Sequence, residues 1–238
     1  MLKHLIAGLM LAIPTITTAA EFGTTTGFET GRKYITLSGE IEPGDSRQLF
    51  MFALLNQDAT HVAFHRPGGI AQEGYEIGRV MSQLGLSSYV GYGQVCLSSC
   101  YTAFLGGTDY EIDGVLGAHV AWYPEDELEE GQTVSDILRY GQGLGGFDAF
   151  WHMYNGFGYE LPWHITNSTD ADTFITFTDE AELMKFFQRS DDEEIYDYLS
   201  FTNDAPTVTD AHDILKLAFG KFDERWPNRF DPRQEEKD

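Results

Sequence analysis

Residues 87–107 read Ser87-Ser88-Tyr89-Val90-Gly91-Tyr92-Gly93-Gln94-Val95-Cys96-Leu97-Ser98-Ser99-Cys100-Tyr101-Thr102-Ala103-Phe104-Leu105-Gly106-Gly107. Tyr89 to Tyr92 is rich in β-formers and reads as a strand. Tyr101, Ala103, Phe104 and Leu105 continue as a buried helix, which Gly106-Gly107 stops. The stretch is therefore a strand that runs through a short turn into a helix. Ser98 lies on that turn, where α/β folds place their ligands, outside the carboxyl ends of strands.

The flanking sequence repeats the theme. Tyr34 to Leu37 alternates as a strand, and Glu42-Pro43-Gly44 turns. Asp45 or Ser46 then caps a helix with Leu49, Phe52 and Ala53. His61 to Phe64 is a second strand, cut off at Pro67-Gly68-Gly69. Ile77, Val80, Met81 and Leu84 follow at the spacing of one buried helical stripe. Downstream, Tyr110–Ile112 and Val115–Trp122 read as short strands. A helical region from Thr133 to Tyr154 is broken by Gly141, Gly143, Gly145 and Gly146, with Phe147, Phe150, Trp151 and Tyr154 in its second half. Thr173–Phe177 is a last strand, and Thr178 caps a helix through Phe187. Asp191–Glu194 is an acidic linker. Asp210–Phe222 is an amphipathic helix with Ala211, Ile214, Leu215, Ala218 and Phe222 on one face, and the tail from Asn228 is polar. Strands alternating with helices give an α/β fold with a mainly parallel sheet.

The first twenty residues read as an export signal: Lys3 and His4, an apolar run from Leu5 to Ile13, and small residues at Thr18-Ala19-Ala20. The expected mature start is Glu21, and no later stretch is apolar and long enough to span a bilayer. The expected organisation is a signal at 1–20, one domain at 21–190, and an extension at 191–238 carrying linker, helix and tail. Against 38 acidic residues stand 15 basic ones, a net charge of −23, which loss of Lys3 takes to −24. That charge excludes nucleic acid, whose phosphates need a cationic face. It reads as solubility, with a cationic ligand as the other reading. No membrane span is expected after signal cleavage.

Cys96 and Cys100 are the two cysteines. In an oxidising compartment they form a disulfide if the turn brings them within reach; otherwise they are two small buried residues. His61, His65, His152, His164 and His212 have no metal-motif spacing, so neither a metal nor a cofactor is implied.

Three features bear on chemistry. Ser98 stands at a strand-to-helix junction, and the Ser99 N–H belongs to a helix N-terminus without an intrahelical acceptor. Such amides stabilise an oxyanion. Pro67-Gly68-Gly69 offers a second close backbone approach, with Gly69 as donor. His119, in Leu116-Gly117-Ala118-His119, follows an apolar strand and is placed to reach a serine as general base.

Taken together, Phe64-His65-Arg66-Pro67-Gly68-Gly69, Gly93 to Ser98, Ala103-Phe104-Leu105-Gly106-Gly107 and Gly117-Ala118-His119 resemble the core of Clp-protease-like serine hydrolases. Cys96-x-Ser98-x-Cys100 with Phe104 to Gly107, and the opening Leu37-x-Gly39-x-Ile41-x-Pro43-Gly44-Asp45, look like a periplasmic group of these proteins. The resemblance runs from Ile35 to Trp122, and more weakly to Phe187. It implies a Clp-protease/crotonase-like spiral of ββα units with a C-terminal helical extension. It also implies Ser98 as nucleophile rather than Ser99, His119 as base, Gly69 and Ser99 amides as the oxyanion hole, and self-association into a homo-oligomer. For the orienting acid, Asp172 and Asp170 lie nearest. Tyr101 departs from the small residue usual after the second cysteine.

The expected function is a periplasmic or secreted serine hydrolase, a peptidase acting on a peptide or small acyl substrate. A non-catalytic binding or assembly module on the same fold is the alternative. Crotonase-like chemistry on acyl thioesters is disfavoured by export, because coenzyme A is a cytoplasmic cofactor.

Overall fold

The computed structural model describes residues 21–27, 30–120, 151–152, 154–157, 160–169, 172–187, 206–210, 213–214 and 216–217. The expected signal, the glycine-broken helical region up to residue 150, Asp170, the acidic linker and the polar tail lie outside the described residues.

In chain order the elements are β1 (Glu21–Thr26), β2 (Lys33–Ser38), α1 (Asp45–Leu55), β3 (His61–His65), α2 (Ala71–Leu84), β4 (Ser87–Val90), β5 (Val95–Leu97), α3 (Ser99–Phe104), β6 (Tyr110–Ile112), β7 (Val115–Ala118), α4 (Glu160–Ser168), β8 (Thr173–Phe177), α5 (Glu180–Met184) and β9 (Val208–Asp210). One sheet has the order β1-β2-β3-β4-β6, the other β5-β7-β8-β9. β2, β3, β4 and β6 run parallel, as do β5 and β7. The chain thus visits the first sheet, then the second, then a helix, and repeats. Parallel bridges Ile41↔Gly69 and Arg66↔Cys96 carry the second sheet's pairing back to the two earlier turns. The fold is α/β, a spiral of ββα turns, with β1, β8 and β9 added antiparallel.

Side-chain alternation builds the layers. Ile35, Leu37, Val62 and Phe64 point from the first sheet into the main core. Tyr34, His61 and Tyr89 cluster on the sheet with ring centroids 5.5 and 5.2 Å apart. In the second sheet Cys96, Leu116, Ala118, Ile175 and Phe177 face the main core, whereas Val95, Val115 and Phe174 form a second cluster with Ile214. On α2, Ile77, Val80 and Met81 are buried, and Leu84 packs against the same core. Full burial of a side chain such as Ile77 contributes about 1.5–3 kcal/mol. Gly74 and Gly78 bring α2 close to α3: a Cβ on Gly74 would lie 2.4 Å from the Ser99 carbonyl oxygen, and one on Gly78 would lie 3.2 Å from that of Ala103.

Several boundaries differ from the sequence reading. Gly44, not Asp45 or Ser46, is the N-cap of α1, because the Asp45 carboxylate is engaged elsewhere. Asp179 rather than Thr178 caps α5, its carboxylate accepting from the Glu182 N–H at 2.9 Å. The Thr178 N–H instead donates to the Glu182 carboxylate at 2.7 Å. β7 ends at Ala118, short of Trp122. Asp210 ends a strand, β9, instead of opening the terminal helix; residues 213–214 and 216–217 are helical. The C-terminal extension therefore also supplies a strand to the second sheet.

Candidate active site

β5 ends at Leu97, and its register with β7 places Leu97 opposite Gly117. The next residue, Ser98, turns the chain sharply, with φ 57° and ψ −127°. It has the single positive φ among the described non-glycine residues. A backbone held in so sparsely populated a region costs on the order of 1–3 kcal/mol and persists only where its surroundings enforce it. Here the Ser98 N–H donates to the Gly117 carbonyl at 2.9 Å. The Cys96–Cys100 disulfide, with Cα atoms 5.2 Å apart, closes the turn around Ser98 and Ser99. Both cysteines are fully buried. They are a buried disulfide, which settles the two readings the spacing left open.

Ser98 occupies the N-cap position of α3, yet its side chain makes no capping bond. Its Oγ instead lies 2.7 Å from Nε2 of His119, the residue just after β7. With Nε2 accepting from the hydroxyl, the neutral ring carries its proton on Nδ1. The ring lies on Phe174 of β8, centroids 4.5 Å apart and planes 26° from parallel. β8 runs antiparallel to β7 with Ala118 opposite Ile175, so Phe174 flanks the ring from the neighbouring strand. Ser99 is oriented differently. Its Oγ is buried with no hydrogen-bond partner among the described residues, and its backbone presses on Gly74 of α2.

The Pro67-Gly68-Gly69 turn meets Ser98 from the other side. A Cβ on Gly68 would lie 2.6 Å from the Ser98 Cβ and 3.0 Å from the Leu97 carbonyl oxygen. Gly69 is clamped against Ile41, whose N–H donates to the Gly68 carbonyl at 2.7 Å and whose carbonyl accepts from Ile70 N–H at 3.0 Å. The structure thus brings Ser98, His119 and the glycine turn together, and sets Ser99 at the start of α3. Asp172 immediately precedes β8, two residues before Phe174.

Sequence reasoning missed three contributors. Gly68, rather than its neighbour, makes the close approach to Ser98. Phe174 braces the imidazole. Arg66, directly before the turn, is buried and donates from Nη1 to Asp45 Oδ2 at 2.8 Å. Burial pushes its guanidinium pKa down, and the bond to Asp45 opposes that shift. Among the described residues, no group of three or more His, Cys, Asp and Glu side chains is arranged to hold a metal ion. None of the described helices is long and apolar enough to cross a membrane. A hydroxyl bonded to an imidazole, beside helix N-terminal amides, is an arrangement capable of acyl transfer.

No protein-family model matches the chain, and no curated protein matches it. Among solved structures, the chain is similar to a serine-to-alanine mutant of the 1510-N membrane-bound stomatin-specific protease, with 15% identity and a TM-score of 0.44 over 65% of this chain and 74% of that one. It is also similar to a lysine-to-alanine mutant of the same protease in complex with a substrate peptide, with 14% identity and a TM-score of 0.43 over 65% and 70% of the two chains.

Proposed function

We propose that this protein is a serine hydrolase, a peptidase that acts through an acyl-enzyme in a periplasmic or secreted setting. The observation that carries the reading is the 2.7 Å contact between Ser98 Oγ and His119 Nε2, made by a serine that forgoes its capping bond. His119 takes the Ser98 proton as Oγ attacks the substrate carbonyl carbon. The Gly69 and Ser99 N–H groups receive the oxyanion of the tetrahedral intermediate. His119 then returns the proton to the leaving amine, and Ser98 is left acylated. A water molecule, deprotonated by the same imidazole, hydrolyses the ester and frees the serine. Asp172 is assigned to the Nδ1 side of the ring, where a carboxylate fixes the tautomer and stabilises the imidazolium. The active species is a homo-oligomer of the exported chain, which begins at Glu21.

The test is turnover of a mixture of quenched fluorescent peptides by the purified protein. Wild type is expected to cleave members of the mixture, with Ser98→Ala and His119→Ala each slower by at least about 10³-fold. Equal rates in wild type and Ser98→Ala sink the reading. Asp172→Asn is expected to fall by a similar factor if that carboxylate orients the ring. Sedimentation of the exported protein reads its assembly, and its N-terminal sequence reads the cleavage site.

A further inference from the structure

Arg66 follows β3 and immediately precedes the glycine turn. Its backbone ties that turn to the strand bearing Ser98: Arg66 N–H donates to the Val95 carbonyl at 2.8 Å, and Leu97 N–H donates to the Arg66 carbonyl at 3.1 Å. Its side chain is fully buried, with the guanidinium 5.9 Å from the centroid of the Phe22 ring. Nη1 reaches the Glu40 carbonyl at 3.5 Å as well as Asp45 Oδ2 at 2.8 Å. Among the described residues, Nε and Nη2 have no hydrogen-bond partner. A buried cation with two unmet nitrogens is a poor stabiliser, since an apolar pair of similar volume commonly holds a core as well or better.

The ion pair's geometry has a different consequence. The same Asp45 Oδ2 accepts from the Glu42 N–H at 3.2 Å. The guanidinium and its carboxylate therefore hold the chain on both sides of Ile41, at Glu40 and at Glu42. Ile41 in turn grips the Gly68 carbonyl and the Ile70 N–H. Slack is absent, because a Cβ on Gly69 would lie 2.3 Å from the Ile41 carbonyl oxygen.

We propose that Arg66 and Asp45 are positioning residues, which set the Gly68–Gly69 backbone against Ser98 by fixing the Glu40–Glu42 segment. This rests on the hydrolase reading above only for its effect on rate; the effect on the turn stands without it. Neither residue touches substrate.

Arg66→Met/Asp45→Leu removes both charges together, leaves no unpaired charge, and releases the Glu40 carbonyl and the Glu42 N–H from their side-chain partners. Amide exchange at Ile41 and Ile70, whose N–H groups are bonded across this contact, is expected to quicken by roughly tenfold or more, with α2 unchanged. The kcat is expected to fall roughly 10- to 100-fold while KM stays within about threefold, the signature of a displaced oxyanion donor. Arg66→Lys keeps one donor and is expected to lie between the two. Should the double variant not fold, the same exchange and kcat shifts are read in Arg66→Lys. Unchanged exchange at Ile41 and Ile70 overturns the proposal, as does a kcat within about twofold of wild type in an active enzyme. If wild type neither turns over peptides nor reacts with a serine probe, the hydrolase reading fails alone, and exchange still decides the positioning role.

Discussion

Gly68 and Ser98 stand back to back: a Cβ at position 68 would lie 2.6 Å from the Ser98 Cβ and 3.2 Å from its Oγ. Two turns 30 residues apart in sequence share one patch of backbone. Gly68 also has φ 119°, which side-chain-bearing residues rarely adopt. Gly68→Ala must shift one turn or the other, at a cost of about 1–3 kcal/mol in stability. A displacement of the order of 1 Å at a reacting hydroxyl costs roughly 10²-fold in rate. Stopped-flow labelling with a serine probe is expected to slow by that factor; a rate equal to wild type contradicts the contact.

The strain at Ser98 gives a stability prediction that is independent of catalysis. Alanine at this position meets the same φ 57° penalty as serine, whereas glycine does not. Glycine loses about 0.4–1 kcal/mol through the greater freedom of its unfolded chain, against a strain of about 1–3 kcal/mol. Ser98→Gly is therefore expected to be about 1 kcal/mol more stable than Ser98→Ala in urea unfolding. A less stable glycine variant would show that the turn is relaxed.

The disulfide closes a loop of five residues, from Cys96 to Cys100. Constraining so short a loop contributes about 2 kcal/mol in the chain-entropy account. Cys96→Ala/Cys100→Ala is expected to lose about that much stability and to react more slowly with the probe, since the turn around Ser98 loses a brace. Because both sulfurs belong to fully buried residues, mild thiol reductant is expected to leave native protein oxidised by thiol alkylation and mass. Rapid native reduction counts against this packing.

His61 is nearly buried beneath Tyr34 and beside Arg32 and Glu111. Burial, and then the Arg32 charge, push its pKa below the ordinary histidine value, against opposing pulls from Glu111 and Asp109. On acidification the unfolded chain binds this proton before the folded one. The contribution of His61 is fully present above about pH 6.5 and is lost as pH falls through the lower folded value. His61→Gln is expected to flatten the pH dependence of unfolding free energy below about pH 6.5. An unchanged slope places the titration elsewhere.

The parts of the fold that read directly from sequence are those where burial is periodic. The α2 stripe of Ile77, Val80 and Met81 and the β2 pair Ile35 and Leu37 repeat at the helix and strand periods and are buried accordingly. Ser98 and His119 were legible because each follows a strand of one parallel pair, and the carboxyl ends of parallel strands converge. β1 escaped because its run of threonines lies at an exposed sheet edge, with no buried face to alternate against. α4 escaped because Pro162 sits in its first turn and reads as a breaker. Asp45 looked like a cap by residue type, but Arg66, 21 positions away, takes its carboxylate. Phe174 met His119 only because β8 returns antiparallel beside β7, a pairing that neither segment encodes locally.

The central claim is that the Ser98 hydroxyl is an activated nucleophile. Intact mass after incubation with a fluorophosphonate, followed by peptide mapping, reads this directly. One adduct per chain is expected, located on Ser98 and not on Ser99, and absent from Ser98→Ala and His119→Ala. Folded wild-type protein that stays unlabelled, or an adduct on any other residue, contradicts it.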